Sequence, residues 1–204
     1  LGDVYKRQVV DDLSFQMQGP GVYALLGTNG AGKTTTIRMM LNMLARDGGE
    51  VLWNGAPLTT DNCNVGYLAE ERGLYPKYSL MDQLMYFASL RGVPKAEAKE
   101  RIKYWAHRLE AEEYLYPKAE KAPALGESKK VRAVKKKNAF KPKLADQLSK
   151  GNQQKIQFMI ALISDPELII LDEPLSGLDP VNTDLFKGII REPVSYTHLR
   201  AHET

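Results

Sequence analysis

The segment Gly27-Thr-Asn-Gly-Ala-Gly-Lys-Thr34 sets two glycines either side of a four-residue gap and follows them at once with a Lys-Thr pair. Glycines let backbone N–H groups approach an anion without Cβ interference, and a helix starting there aims its positive end at the same place. Lys33 then puts an ammonium between the outer phosphates of a triphosphate, and the Thr34 hydroxyl is left for Mg²⁺. The pattern predicts one phosphate cradle from Gly27, Thr28, Asn29, Gly30, Ala31, Gly32, Lys33, Thr34 and Thr35. Its flanks agree. Val22 to Leu26 is an apolar run between Gly21 and Gly27, which predicts a buried parallel strand. From Thr34 to Ala45 the apolar residues Ile37, Met40, Leu41 and Leu44 recur at helical spacing, which predicts a helix. Strand, glycine loop and helix together imply an α/β fold.

A second element carries acids. Leu168-Ile-Ile-Leu171 reads as a strand, and Asp172 and Glu173 follow at its carboxyl end, where open α/β sheets bind ligands. Asp172 is placed to hold Mg²⁺ directly or through water, because hard cations prefer carboxylate oxygens. Glu173 is the candidate for orienting or deprotonating an attacking water. Two acids can also simply end a strand; the Gly-Lys-Thr loop earlier in the chain favours the chemical reading.

Between these elements, Leu148-Ser-Lys-Gly-Asn-Gln-Gln154 resembles the signature motif of the ATP-binding cassette (ABC) ATPases, whose common form is Leu-Ser-Gly-Gly-Gln. Ser176-Gly-Leu-Asp-Pro180 resembles the D-loop of the same family, and the likeness extends over nearly the whole chain. The resemblance implies a P-loop NTPase fold with a mainly parallel central sheet, a small antiparallel part and a helical subdomain. It implies two such domains stacked head to tail, with ATP and Mg²⁺ between the phosphate loop of one and the signature of the other. On that basis Ser149, Gly151 and Asn152 contact the γ-phosphate held by a partner, and Asp179 belongs to the nucleotide site. Independently, Ser149 reads as the N-cap of a helix running from Gln153 to Ile163. The family usually has Gln in the loop after the strand that is here Val65–Leu68, and the register puts Glu70 there. Glu70 is therefore carried as a nucleotide-site and Mg²⁺-ligand candidate that adds negative charge. The family's later histidine and its adenine-stacking aromatic have no expected equivalents; Tyr5, His198 and His202 are not assigned to those roles.

With 204 residues, 43% of them hydrophobic, the chain can bury the core of one α/β domain with a subdomain. One cysteine, Cys63, rules out a disulfide framework. No apolar run reaches the roughly 18 to 20 residues that cross a bilayer. Glu50 to Gly55 predicts a strand ending in an Asn-Gly turn. Ser79 with Asp82 predicts a helix start, with Leu80, Leu84, Phe87 and Ala88 on one face up to Leu90. A second helix is expected from Ala96 to Leu109, anchored by Ile102, Trp105 and Leu109, with His107 on its surface. The helical subdomain is expected at about 78–163.

From Pro117 to Lys143 ten Lys or Arg stand against Glu120 and Glu127, a segment charge of +8 in a chain of +3. The rest of the chain is therefore acidic. A basic insertion over about 117–143 reads as a solvated segment, or as one that meets anionic lipid headgroups; no aromatic interleaving supports nucleic-acid contact, and none is expected. The ends carry a different signal. Asp3–Gln8 can be encoded by GAT GTG TAT AAG AGA CAG, and the reverse complement in another frame reads Val-Ser-Tyr-Thr-His, which is Val194–His198. Residues 1–8 and 194–204 are thus expected to be adapter-derived, and 9–192 to be the ABC-type domain, truncated at both ends, its hydrolysis impaired.

Gly66-Tyr-Leu-Ala-Glu-Glu-Arg-Gly-Leu-Tyr-Pro76 and the Lys-Gly-Asn-Gln-Gln signature are similar to ATPase subunits of bacterial sodium- and drug-export transporters. The resemblance implies an ATP-hydrolysing subunit of an exporter. Its partners would be a second ATP-binding subunit, identical or not, and separate transmembrane permease subunits, and it would sit peripherally on the inner face of the cell membrane. The alternative is a soluble ABC ATPase of the translation-factor or DNA-repair type.

Overall fold

The structure, a computed structural model, describes residues 8–70, 73–116 and 143–192. The adapter-like ends, Gln8 excepted, and nearly all of the basic insertion lie outside the described residues. Helix α1 spans Lys33–Met40, followed by a hairpin of β1 (Leu52–Trp53) and β2 (Ala56–Pro57), then β3 (Val65–Leu68). Helices α2 (Leu80–Leu90), α3 (Lys95–Arg108) and α4 (Glu112–Leu115) come next. Helix α5 (Lys150–Leu162), β4 (Leu168–Leu171) and α6 (Pro180–Arg191) complete the order.

The expected Asn-Gly turn forms, closing a hairpin of short strands: Asn54 and Gly55 both take positive φ, 50° and 82°, the conformation a two-residue turn of this twist requires. Strands β3 and β4 pair in parallel with Val65 opposite Leu168 and Leu68 opposite Leu171, so the acids Asp172 and Glu173 leave the sheet beside Ala69 and Glu70. Asn64 fixes the entry to this pair. Its amide Nδ2 donates to the Ser164 carbonyl at 2.6 Å, and its backbone N–H donates to Glu167 Oε2 at 3.1 Å.

Helices α2, α3, α4 and α5 pack on one another, and α5 also lies against β3. Their contact faces carry the expected anchors Leu84, Ile102 and Leu109, fully buried, and Trp105, nearly so; Ile156 of α5 joins them, also fully buried. The core continues to Phe158, stacked on Phe186 of α6 with centroids 4.9 Å apart. Buried Gln83 is a polar exception that is fully used. It takes the Tyr75 N–H at 2.8 Å and gives its own N–H groups to the carbonyls of Tyr75 and Tyr78. No helix among the described residues is long and apolar enough to cross a membrane.

Two local expectations need correction. Val22–Leu26 forms no strand: no backbone hydrogen bond reaches it among the described residues, and Val22 and Leu26 are 69% and 88% exposed. A parallel strand exists only through its ladder and through cover on both faces. Here β3 and β4 pair with each other alone, so this apolar run has neither. The helix after the loop also ends early, at Met40 rather than Ala45. Asn42 turns the chain at φ 56°, and Arg46 caps the freed end by donating to the Met39 carbonyl at 2.6 Å.

Candidate functional site

The glycine loop enters α1 through Gly32, in the left-handed region at φ 88°, with Gly30 at 81°. At Gly32 a Cβ would also press on Val10 Cγ2 at 3.0 Å, so position and conformation both exclude a side chain. Unlike α2, α5 and α6, α1 has no side chain capping its first amides. Its first amides, like those of α3 and α4, have no side-chain acceptor, and beside the glycine loop an anion could accept from them. The Lys33 ammonium bends back over the loop and donates to the carbonyls of Gly27 and Thr28 at 2.9 and 3.1 Å. Thr28, Asn29 and Ala31 of the loop are exposed, and Thr34 and Thr35 half-buried.

At the carboxyl end of β4, Asp172 is 2% exposed, and its Oδ2 has no hydrogen-bond partner among the described residues. A buried carboxylate oxygen left without a donor suits a hard cation. Next to Asp172 on β3, burial pushes the Tyr67 phenol up, and the Asp172 charge adds to the shift while Arg38 of α1 opposes it.

Glu173 is exposed at φ 49°, an uncommon conformation for a residue with a side chain. It lines a cleft with Glu70, Lys150, Gln154, Gln157 and Ser176. The fold therefore gathers the Gln-loop position, the acid after the strand, the D-loop serine and one face of the signature helix. Ser149 caps α5 as expected, accepting from the Asn152 N–H at 3.3 Å, although the helix begins at Lys150 rather than Gln153. Gly151 packs 3.2 Å, measured from an added Cβ, from Asn182 Nδ2 of α6. Asp179 caps α6 through the Asn182 N–H at 2.9 Å.

Lys150, Gln154 and Gln157 stood inside the motif region without an assigned role. Their spacing of four and three residues puts them on one helical face, the signal that would have found them. On the opposite face of α5, burial pushes the Lys155 ammonium down, against the pull of Glu110, Asp179 and Glu113.

The chain matches known proteins along most of its length. Residues 10–176 fit the family described as ABC transporter. The uncharacterized ABC transporter ATP-binding protein YhaQ of Bacillus subtilis is 44% identical over 184 residues, which is 90% of this chain and 53% of that protein. The chain thus spans about half the length of this relative. The ABC transporter ATP-binding protein NatA of Bacillus subtilis is 30% identical over 91% of this chain and 67% of its own length. A solved structure described as the ATP binding subunit of an ABC transporter superposes with a TM-score of 0.59 at 25% identity, covering 81% of this chain and 60% of that one. With a family fit over residues 10–176 and these relatives, the chain belongs to the ABC transporter family of ATP-binding proteins.

Proposed function

We propose that this chain binds Mg²⁺-ATP and hydrolyses it as the ATP-binding subunit of an exporter, working with a second ATP-binding subunit and separate membrane permeases. The observation that carries the reading is the uncapped first turn of α1, fronted by the Lys33 ammonium over the Gly27 and Thr28 carbonyls. The N–H groups of the loop and of that turn hold the phosphates, and Lys33 neutralises the outer ones. Thr34 and Asp172 would hold Mg²⁺, which would supply charge neutralisation on the phosphate oxygens, and Glu70, in the cleft with Glu173, is a further oxygen-donor candidate. Glu173 orients the water and accepts its proton. Ser149, Gly151 and Asn152 serve the nucleotide of the partner subunit. The export direction leans on the similarity to the lipopolysaccharide export system ATP-binding protein LptB of Escherichia coli, 28% identical over 93% of this chain, and on the exporter-like Glu70 and signature segments.

The test is titration of the purified chain with a fluorescent ATP analogue, with and without Mg²⁺. Saturable binding weakened at least tenfold by Lys33→Ala is expected, since an ammonium on phosphate oxygens contributes on the order of 1.5 to 3 kcal/mol. Equal binding by both proteins removes the reading.

A further inference from the structure

We infer that Gln154 is a positioning residue for Glu173, tying the first turns of the signature helix to the loop that carries the acid in the same chain. This rests on the hydrolytic reading above and concerns a side chain to which that reading gives no part. Gln154 Nε2 donates to the Pro174 carbonyl at 2.6 Å, a short hydrogen bond to the residue directly after Glu173. It is half-buried where it lines the cleft.

The segment it holds packs Leu175 and Leu178 against the core but is tied to the rest of the chain by few backbone hydrogen bonds. From Glu173 to Asp179 the backbone has two turn hydrogen bonds of its own, Ser176 N–H to the Glu173 carbonyl at 3.1 Å and Leu178 N–H to the Leu175 carbonyl at 3.3 Å. Glu173 itself sits at φ 49°, and such a residue keeps its conformation only where neighbours over-determine it. One turn before Gln154 on the same helical face, the Lys150 side chain lies along Gly177, where an added Cβ would be 2.5 Å from its ammonium. Two side chains of one helical face therefore grip the loop, one by a hydrogen bond and one by packing. Ser149, at the start of that helix, is the residue offered to the partner's nucleotide. A movement of the signature turn is carried to Glu173 through Gln154, so nucleotide seated across the interface sets the geometry of the acid in this chain's own site.

The experiment is a double-mutant cycle of Gln154→Met with Glu173→Gln on the purified chain. Met preserves length and volume and removes the donor. Expected for Gln154→Met alone is a fall in kcat of about tenfold to a hundredfold, the size that a small misplacement of a catalytic group produces. KM and the affinity for the fluorescent nucleotide stay within about twofold, since Gln154 touches no phosphate. In the Glu173→Gln background the same change has no further effect on turnover. Gln154→Lys, which restores a donor, recovers part of kcat.

An equal fall in both backgrounds overturns the inference, as does an unchanged kcat. Amide hydrogen exchange over residues 173–179 supplies a readout that needs no turnover: Gln154→Met raises it, and unchanged exchange also overturns the inference. If Glu173→Gln leaves turnover untouched, the hydrolytic reading fails instead; if the unsubstituted chain, its hydrolysis impaired as expected, shows no turnover, exchange alone decides the Gln154 contact.

Discussion

At the scale of single residues, Gly66 shows how a position with no chemistry can control the site. It lies in β3 beneath α5, and a Cβ there would fall 2.2 Å from the Ala161 carbonyl oxygen and 2.9 Å from Pro166 Cγ. The first neighbour is helix backbone, so relief requires α5 to lift off the sheet, together with Lys150 and Gln154 at its far end. Gly66→Ala should therefore cost at least about 2 kcal/mol, the upper range for overpacking, read as a lower midpoint in denaturant unfolding. A change within about 0.5 kcal/mol would mean that α5 does not press on β3. Glu70 makes the converse point: it is exposed, and its importance lies in sharing a cleft with Glu173 and Lys150. There the Lys150 charge stands against two carboxylates, which offsets the negative charge that Glu70 brings in place of an amide.

At the scale of elements, side-chain caps mark where three helices begin; Ser79 and Ser149 are legible as caps in the sequence, whereas Asp179 reads there only as a nucleotide-site residue. Ser79, Ser149 and Asp179 each accept from a backbone N–H three residues on. The pair Ser79 and Asp82, the Asn54-Gly55 turn and the runs Val65–Leu68 and Leu168–Leu171 could be read because each signal is local. Val22–Leu26 could not be read correctly, because a strand depends on partners distant in sequence, and here no ladder reaches it. Gly66 and Gln154 were opaque for the same reason: their meaning lies in Ala161 and Pro174, which only the fold brings near.

The Asp179 cap carries a pH signature. The Asn182 backbone N–H, then its side-chain amide, hold the Asp179 carboxyl below the usual carboxylate range. A group depressed on folding stabilises above its unfolded value, near pH 4, and loses that contribution as pH falls through the folded value. Asp179→Asn caps the helix without titrating. The stability gap between the two proteins should thus be widest above about pH 5 and should narrow on acidification below about pH 4. A gap that is flat across this window in urea unfolding would count against the cap.

At the scale of the whole molecule, the question is what brings two chains together. The chain exposes an apolar run, with Val22 and Leu26 among its most exposed hydrophobic residues, and such surface favours self-association whatever the nucleotide. The proposed head-to-tail arrangement would make a different demand: each triphosphate would be clasped by the glycine loop of one chain and by Ser149 of the other, so association would require ATP and an intact signature. Slowing hydrolysis separates the two causes. Glu173→Gln with Mg²⁺-ATP should double the mass seen by light scattering, whereas the same protein with ADP should not. Ser149→Arg, placing a bulky side chain where the γ-phosphate would seat, should abolish the ATP-dependent dimer and leave nucleotide binding by Lys33 intact. A dimer that forms equally with ADP, or that survives Ser149→Arg, would assign the association to the Val22–Leu26 surface and remove the shared nucleotide from the interface.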